Sequence, residues 1–171
     1  MKNPLRIIGI DPGYERVGVA IIEKDRSEKL LFSTCIVTDR KNTSSERLVV
    51  IGQQLKTIIE EYHPDALAIE SLLFNSNQKT VMLVAAARGV IIYEAALTNI
   101  PVFEYNPLQI KIATTGYGRA EKKQVTHMVE KLLVIPPGKR HDDEYDAIAI
   151  ALTCSASERL LSTTRPDLQK K

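Results

Sequence analysis

Cysteine is scarce in this sequence. Cys35 and Cys154 are the only two in 171 residues, far apart, in aliphatic surroundings and without a CxxC spacing. That excludes a disulfide framework and leaves both as small buried hydrophobes in a reducing compartment. No apolar run is expected to reach the roughly 18 residues that cross a bilayer. The N-terminus also lacks the basic, apolar, small-residue order of a secretory leader. These absences point to a cytoplasmic protein with no membrane segment. An excess of one charge is missing too, the formal net charge being +2. The length suits one domain, expected over residues 1–161, with a core of its own. Residues 162–171 read as a polar, flexible tail.

The small net charge hides a division along the chain. Lys and Arg number 12 against 12 Asp and Glu in residues 1–103, but 7 against 3 in 104–140 and none against 4 in 141–154. A basic segment suits a polyanion, whereas carboxylates clustered beside it would repel a phosphate unless a cation came between. The contrast hints at a bound metal.

Hydrophobic periodicity supplies the frame. Leu5 to Asp11, Arg16 to Lys24 and Lys29 to Thr38 are β-branched runs separated by short polar stretches, which predicts an antiparallel meander. Leu48, Ile51, Leu55, Ile58 and Ile59 then recur at periods of three and four, predicting a helix over Ser45 to Tyr62. The run "PDALAIE" predicts a fourth strand ending at Glu70, Lys79 to Thr98 a long helix, and "PVFEY" a fifth strand. Helices are expected near 107–114, 121–133 and 143–157. The predicted class is α/β: a five-stranded mixed sheet, three strands antiparallel and the rest parallel, flanked by helices.

That order has a geometric consequence. Strands one and four, parallel neighbours through a right-handed crossover, would end side by side, so that Asp11 and Glu70 meet at the edge where open α/β sheets bind ligands. In "HDDEYDAIAIALT", Asp143 and Asp146 are three apart, about 60 degrees from each other on a helix. Asp142 reads as the cap. Two carboxylates on a face that continues into "AIAIA" would be costly without a cation. In "TTGYGRAEKKQ", Lys122 and Lys123 open a helix, against its dipole, and a phosphate would relieve that conflict.

Taken in order, "GIDPG", "AIE", "ARGVI", "PVFEYNPLQIK", "GYGRAEKKQVTHMV" and "DEYDAIAIA" resemble the RuvC family of Holliday-junction resolvases, within the RNase H-like superfamily, from about Ile7 to Ala156. The resemblance implies an endonuclease that resolves four-way DNA junctions as a homodimer beside a branch-migration motor. It implies Asp11, Glu70, Asp143 and Asp146 as carboxylates holding Mg²⁺, two ions per centre, with Mn²⁺ as a substitute. Lys111 and Lys122 match basic residues that serve the cleavage site, and Phe74 the aromatic that stacks on bases; Arg119, Lys122 and Lys123 of the basic segment are the other candidate DNA-binding residues. The stretch "PPGKRHDDEYD" is about one residue longer than in some relatives, so His141 or Asp142 could stand where Asp143 is placed.

Two other readings start from the same residues. "GIDPGYERVGVA" also resembles the first phosphate loop of sugar kinases and actin, but 171 residues hold no second copy of the fold to close a nucleotide cleft. An RNase H-like nuclease acting on RNA, or a junction-binding module that does not cut, is the remaining alternative. From Thr80 to Ala96, apolar or small residues occupy nearly every helical angle, interrupted by Arg88, Tyr93 and Glu94. One face would cover the sheet and the other a second copy, with Ala86 and Val90 expected outward.

Overall fold

In the computed structural model, residues 4–72 and 78–157 are described. The chain runs β1 (Leu5–Asp11), β2 (Arg16–Lys24), β3 (Glu28–Val37), α1 (Ser44–Tyr62), β4 (Ala66–Glu70), α2 (Gln78–Leu97), β5 (Val102–Tyr105), α3 (Pro107–Thr115), α4 (Lys122–Leu132) and α5 (Asp142–Ser155). The sheet order is β3-β2-β1-β4-β5, with β1 antiparallel to β2 and parallel to β4. The meander and the crossover stand as the periodicity predicts. Phe74 and the 162–171 tail lie outside the described residues.

Alternation along the strands divides the core in two. Ile8 and Ile10 of β1 pack with Leu67 and Ile69 of β4 under α1 and α2. Leu5 and Ile7, with Ala66 and Ala68, face α3, α4 and α5. The period of two then puts Asp11 and Glu70 on the α5 side. Small residues let α5 lie unusually close there: a Cβ on Gly9 would collide with the Ala147 carbonyl oxygen, and one on Gly18 with that of Asp143. Either would force the helix off the sheet.

Local chemistry sets the ends. Thr43 caps α1, with the Glu46 carboxylate accepting from the Thr43 amide at 2.7 Å. Asn106 and Gln109 do the same for α3, ahead of Pro107 at its first position. Gly116, at φ 74°, turns the chain out of α3 toward the basic segment. Buried Arg47 stacks on Tyr14, 3.9 Å from its ring centre, and donates to Thr38 Oγ1 at 2.9 Å, tying the β1–β2 turn to α1.

Three expectations need correction. His141, not Asp142, caps α5, because the Glu144 carboxylate closes back on the His141 amide at 3.0 Å and makes Asp142 the first helical residue. Val90 does not face outward: it packs over Gly52 of α1, where the absent side chain leaves room. The window Thr80–Leu97 also has the length and apolarity of a membrane-crossing helix, with mean hydropathy 1.6. The reason is that two faces of α2 are apolar at once. Ala87, Ile91 and Ala95 are buried on the sheet, while Met82 (72 % exposed), Ala86, Gly89, Tyr93 (59 %) and Leu97 (60 %) form an open stripe.

Candidate metal and nucleic-acid site

Asp11 and Glu70 end adjacent parallel strands, one step beyond the Ile10–Ile69 pair, and both point at α5. Asp146, in the first turns of α5, completes the group. The three acids share one environment, as their proton affinities show. Burial, then the charges of Asp146, Glu70 and Asp143, push the Asp11 carboxyl up to about 7 against the opposing pull of Lys122. Glu70 is raised by burial and by Asp146, again opposed by Lys122. Asp146 is raised by burial and held back by Lys122.

Lys122 is the cation in this centre. Its Nζ donates to Asp146 Oδ2 at 2.6 Å and lies 3.8 Å from Asp142. Burial alone would lower its proton affinity, yet the bond to Asp146 and the charges of Asp146, Asp142 and Asp11 raise it. Lys122 therefore answers the helix-dipole conflict through a carboxylate rather than waiting for a phosphate. Beside it opens a cleft of about 260 Å³ lined by Glu70, Lys111, Lys122 and Asp146, floored by Ile110, Val125 and Ile150. Arg119 and Lys123 stand exposed and do not line this cleft, and among the described residues neither enters an ion pair.

Asp143 is set apart from the other three. Its Oδ2 lies 3.2 Å from Arg16 Nε and accepts from the Cys35 thiol at 3.9 Å. Both α5 carboxylates thus have protein cations, so the pair is not left bare as its spacing implies. Of His141, Asp142 and Asp143, only Asp143 adds its charge to Asp11. Asp142 is turned outward to Lys122, its side chain 80 % exposed. Sequence reasoning missed Arg16 and misjudged Cys35, which is half-buried beside Asp143, while Cys154 is buried. The available signal was cross-strand: Gly18 opposite Cys35 leaves a gap into which the start of α5 settles.

The donor set is all oxygen at Asp11, Glu70 and Asp146, which fits a hard divalent cation. Three converging carboxylates with one lysine leave surplus negative charge for such an ion to neutralise.

The family model described as crossover junction endodeoxyribonuclease RuvC matches residues 7–154. A crossover junction endodeoxyribonuclease RuvC from Syntrophomonas wolfei is 44 % identical over 160 residues, covering 92 % of each chain. One from Fusobacterium nucleatum is 43 % identical over 150 residues, covering 87 % of this chain and 79 % of its own. Among solved structures, Thermus thermophilus RuvC in complex with a Holliday junction substrate superposes with a TM-score of 0.84 at 29 % identity, over 88 % of this chain and 93 % of that one. The sheet and its flanking helices are thus RNase H-like, as the motifs imply. With the model spanning most of the chain and curated relatives above 40 % identity across most of both lengths, the chain belongs to the crossover junction endodeoxyribonuclease RuvC family.

Proposed function

We propose that this chain resolves four-way DNA junctions by hydrolysing phosphodiester bonds at the centre built from Asp11, Glu70, Asp143 and Asp146. The observation that carries the reading is the meeting of Asp11 and Glu70 with Asp146, where burial and then the neighbouring acids push the Asp11 carboxyl up to about 7. These four residues would hold Mg²⁺, two ions per centre, with Mn²⁺ as a substitute. When bound, the ions supply an activated water and neutralise the leaving 3′ oxygen.

The chain's own residues do the positioning. Lys111, on the wall of the cleft, reaches a non-bridging phosphate oxygen and offsets charge that builds in the transition state. Lys122, bonded to Asp146 at 2.6 Å, would be free to turn to a phosphate oxygen with a cation on that carboxylate. Arg119 and Lys123, both exposed, grip the backbone without reading sequence. Phe74 is carried as the base-stacking aromatic on the resemblance alone. The enzyme works in the cytoplasm, in keeping with its two free cysteines, and by family beside a branch-migration motor.

The test is cleavage of a synthetic four-way junction, against a linear RNA of equal length, with and without Mg²⁺. Paired nicks at opposed positions of the junction, only with metal, are expected. Cutting of the RNA in preference to the junction would sink the reading in favour of an RNA nuclease.

A four-way junction must be cut on two strands, and a two-fold pair of active sites meets that need. The open stripe of α2, with Ala85, Ala86 and Gly89 permitting close approach, supports a homodimer about this helix. Ala86→Glu places a charge in the stripe without touching the sheet face. Folded monomers that nick singly are expected by sedimentation and junction assay. A parental protein that sediments as a monomer at micromolar concentration while cutting both strands would refute the dimer.

A further inference from the structure

Beside the carboxylate centre, at the sheet edge carrying β3, lies a second cluster of donors with a different chemistry. Cys35 Sγ, an imidazole nitrogen of His141 and a carboxylate oxygen of Asp143 all lie within 4.8 Å of one another. Each comes from a different local device. Cys35 stands on β3 opposite Gly18, on the face turned to α5. Gly18 has no side chain, so the backbone of Asp143 settles directly over the strand. His141 caps the same helix, which brings its ring to the turn where Asp143 begins.

We infer that Cys35, His141 and Asp143 form a metal site of their own, suited to a borderline cation of the Zn²⁺ class rather than to Mg²⁺. One sulfur, one nitrogen and one oxygen donor is the mix that such ions take, and a tetrahedral ion holds its ligand atoms about 3.5 to 4 Å apart, close to the 3.9 Å already present between Cys35 Sγ and Asp143 Oδ2. Three protein ligands leave a fourth position for water. The competing group is Arg16, 3.2 Å from the same carboxylate; its side chain is 53 % exposed and free to swing into solvent. Arg140 does not oppose the site, since it is engaged with Ser33 and Glu144.

The site has a consequence that rests on the proposed role of Asp143. A thiolate-bound ion and the Asp11 centre compete for that carboxylate, whose Oδ2 already lies against Cys35. A zinc-class ion here withdraws Asp143 from Mg²⁺, making the nuclease sensitive to such ions through Cys35 and His141, which the proposed cleavage centre does not include.

Binding is tested first, apart from any activity, with Co²⁺ as a coloured probe added to the chelator-treated full chain. A thiolate-to-cobalt charge-transfer band in the near ultraviolet is expected, saturating at one ion per chain, displaced by Zn²⁺ and lost in Cys35→Ser. Arg16→Ala should tighten Co²⁺ binding by removing the competitor, a readout that does not depend on deleting a ligand. Absence of the band at saturating Co²⁺, or its survival in Cys35→Ser, overturns the site. In the junction assay, Zn²⁺ added to Mg²⁺-driven cleavage should inhibit the parent more than Cys35→Ser. Equal inhibition of both with the cobalt band present would overturn the competition and leave the cleavage reading untouched.

Discussion

Replacing Asp11 by Asn is expected to cut junction cleavage by at least about 10²–10³-fold, the scale of losing one preorganised electrostatic group, while junction binding is kept or tightened. Asp11 is the acid on which the charges of Glu70, Asp143 and Asp146 all fall, so its loss removes the donor common to the whole centre. It also removes a negative charge from the path of the phosphate backbone. Asp146→Asn should lose cleavage on the same scale but gain more in binding. Its carboxylate occupies Lys122 at 2.6 Å, and the amide frees that ammonium for DNA. Gel-shift affinity and cleavage rate, measured on one junction in Mg²⁺, separate the two effects. Near-parental cleavage by either variant would place the centre elsewhere.

The second large effect is on stability, and it runs with pH. The folded state raises the Asp11 carboxyl from 3.8 to about 7, so between these values the folded chain binds a proton that the unfolded chain releases. Stability from this group is therefore greatest at acidic pH, falls as pH rises through that window, and stays low above it. A rise of that size corresponds to at most about 4 kcal/mol, shared with the acids around it. Metal-free Asp11→Asn should then melt higher than the parent at pH 8, by up to about 10 °C, and show no gain at pH 4. Mg²⁺ at pH 8 should raise the parent by binding the folded state and raise the variant much less. Calorimetry at the two pH values checks this. A variant less stable than the parent at pH 8 would contradict the strained-carboxylate picture.

Much of this was legible in one sequence because the signals were local. Runs such as "LRIIGID" and "ALAIE" place an acid where a strand stops, and the parity of the strand decides the face it turns to. What escaped depended on side chains that meet only once separate elements have packed together. That Arg16 would pair with Asp143, or Lys122 with Asp146, follows from where α5 crosses the sheet, which no periodicity encodes. Cys35 has the neighbours of a core residue along the chain but an edge-strand position in the sheet, so its exposure could not be read from its flanks. Val90 was misplaced for a related reason: on a helix apolar all round, only the gap left by Gly52 tells which side is covered.

Half of the carboxylate centre rides on the sheet and half on α5, and the two glycines beneath that helix are the shims between the halves. The distance from Asp11 and Glu70 to Asp146 is set by atoms that are missing, one side chain at Gly9 and one at Gly18. A single methyl group at either place would jack the helix away and dilate the centre with every ligand still present. Inactivity from a change at Gly9 or Gly18 would therefore be a fault of clearance and say nothing of contact with DNA.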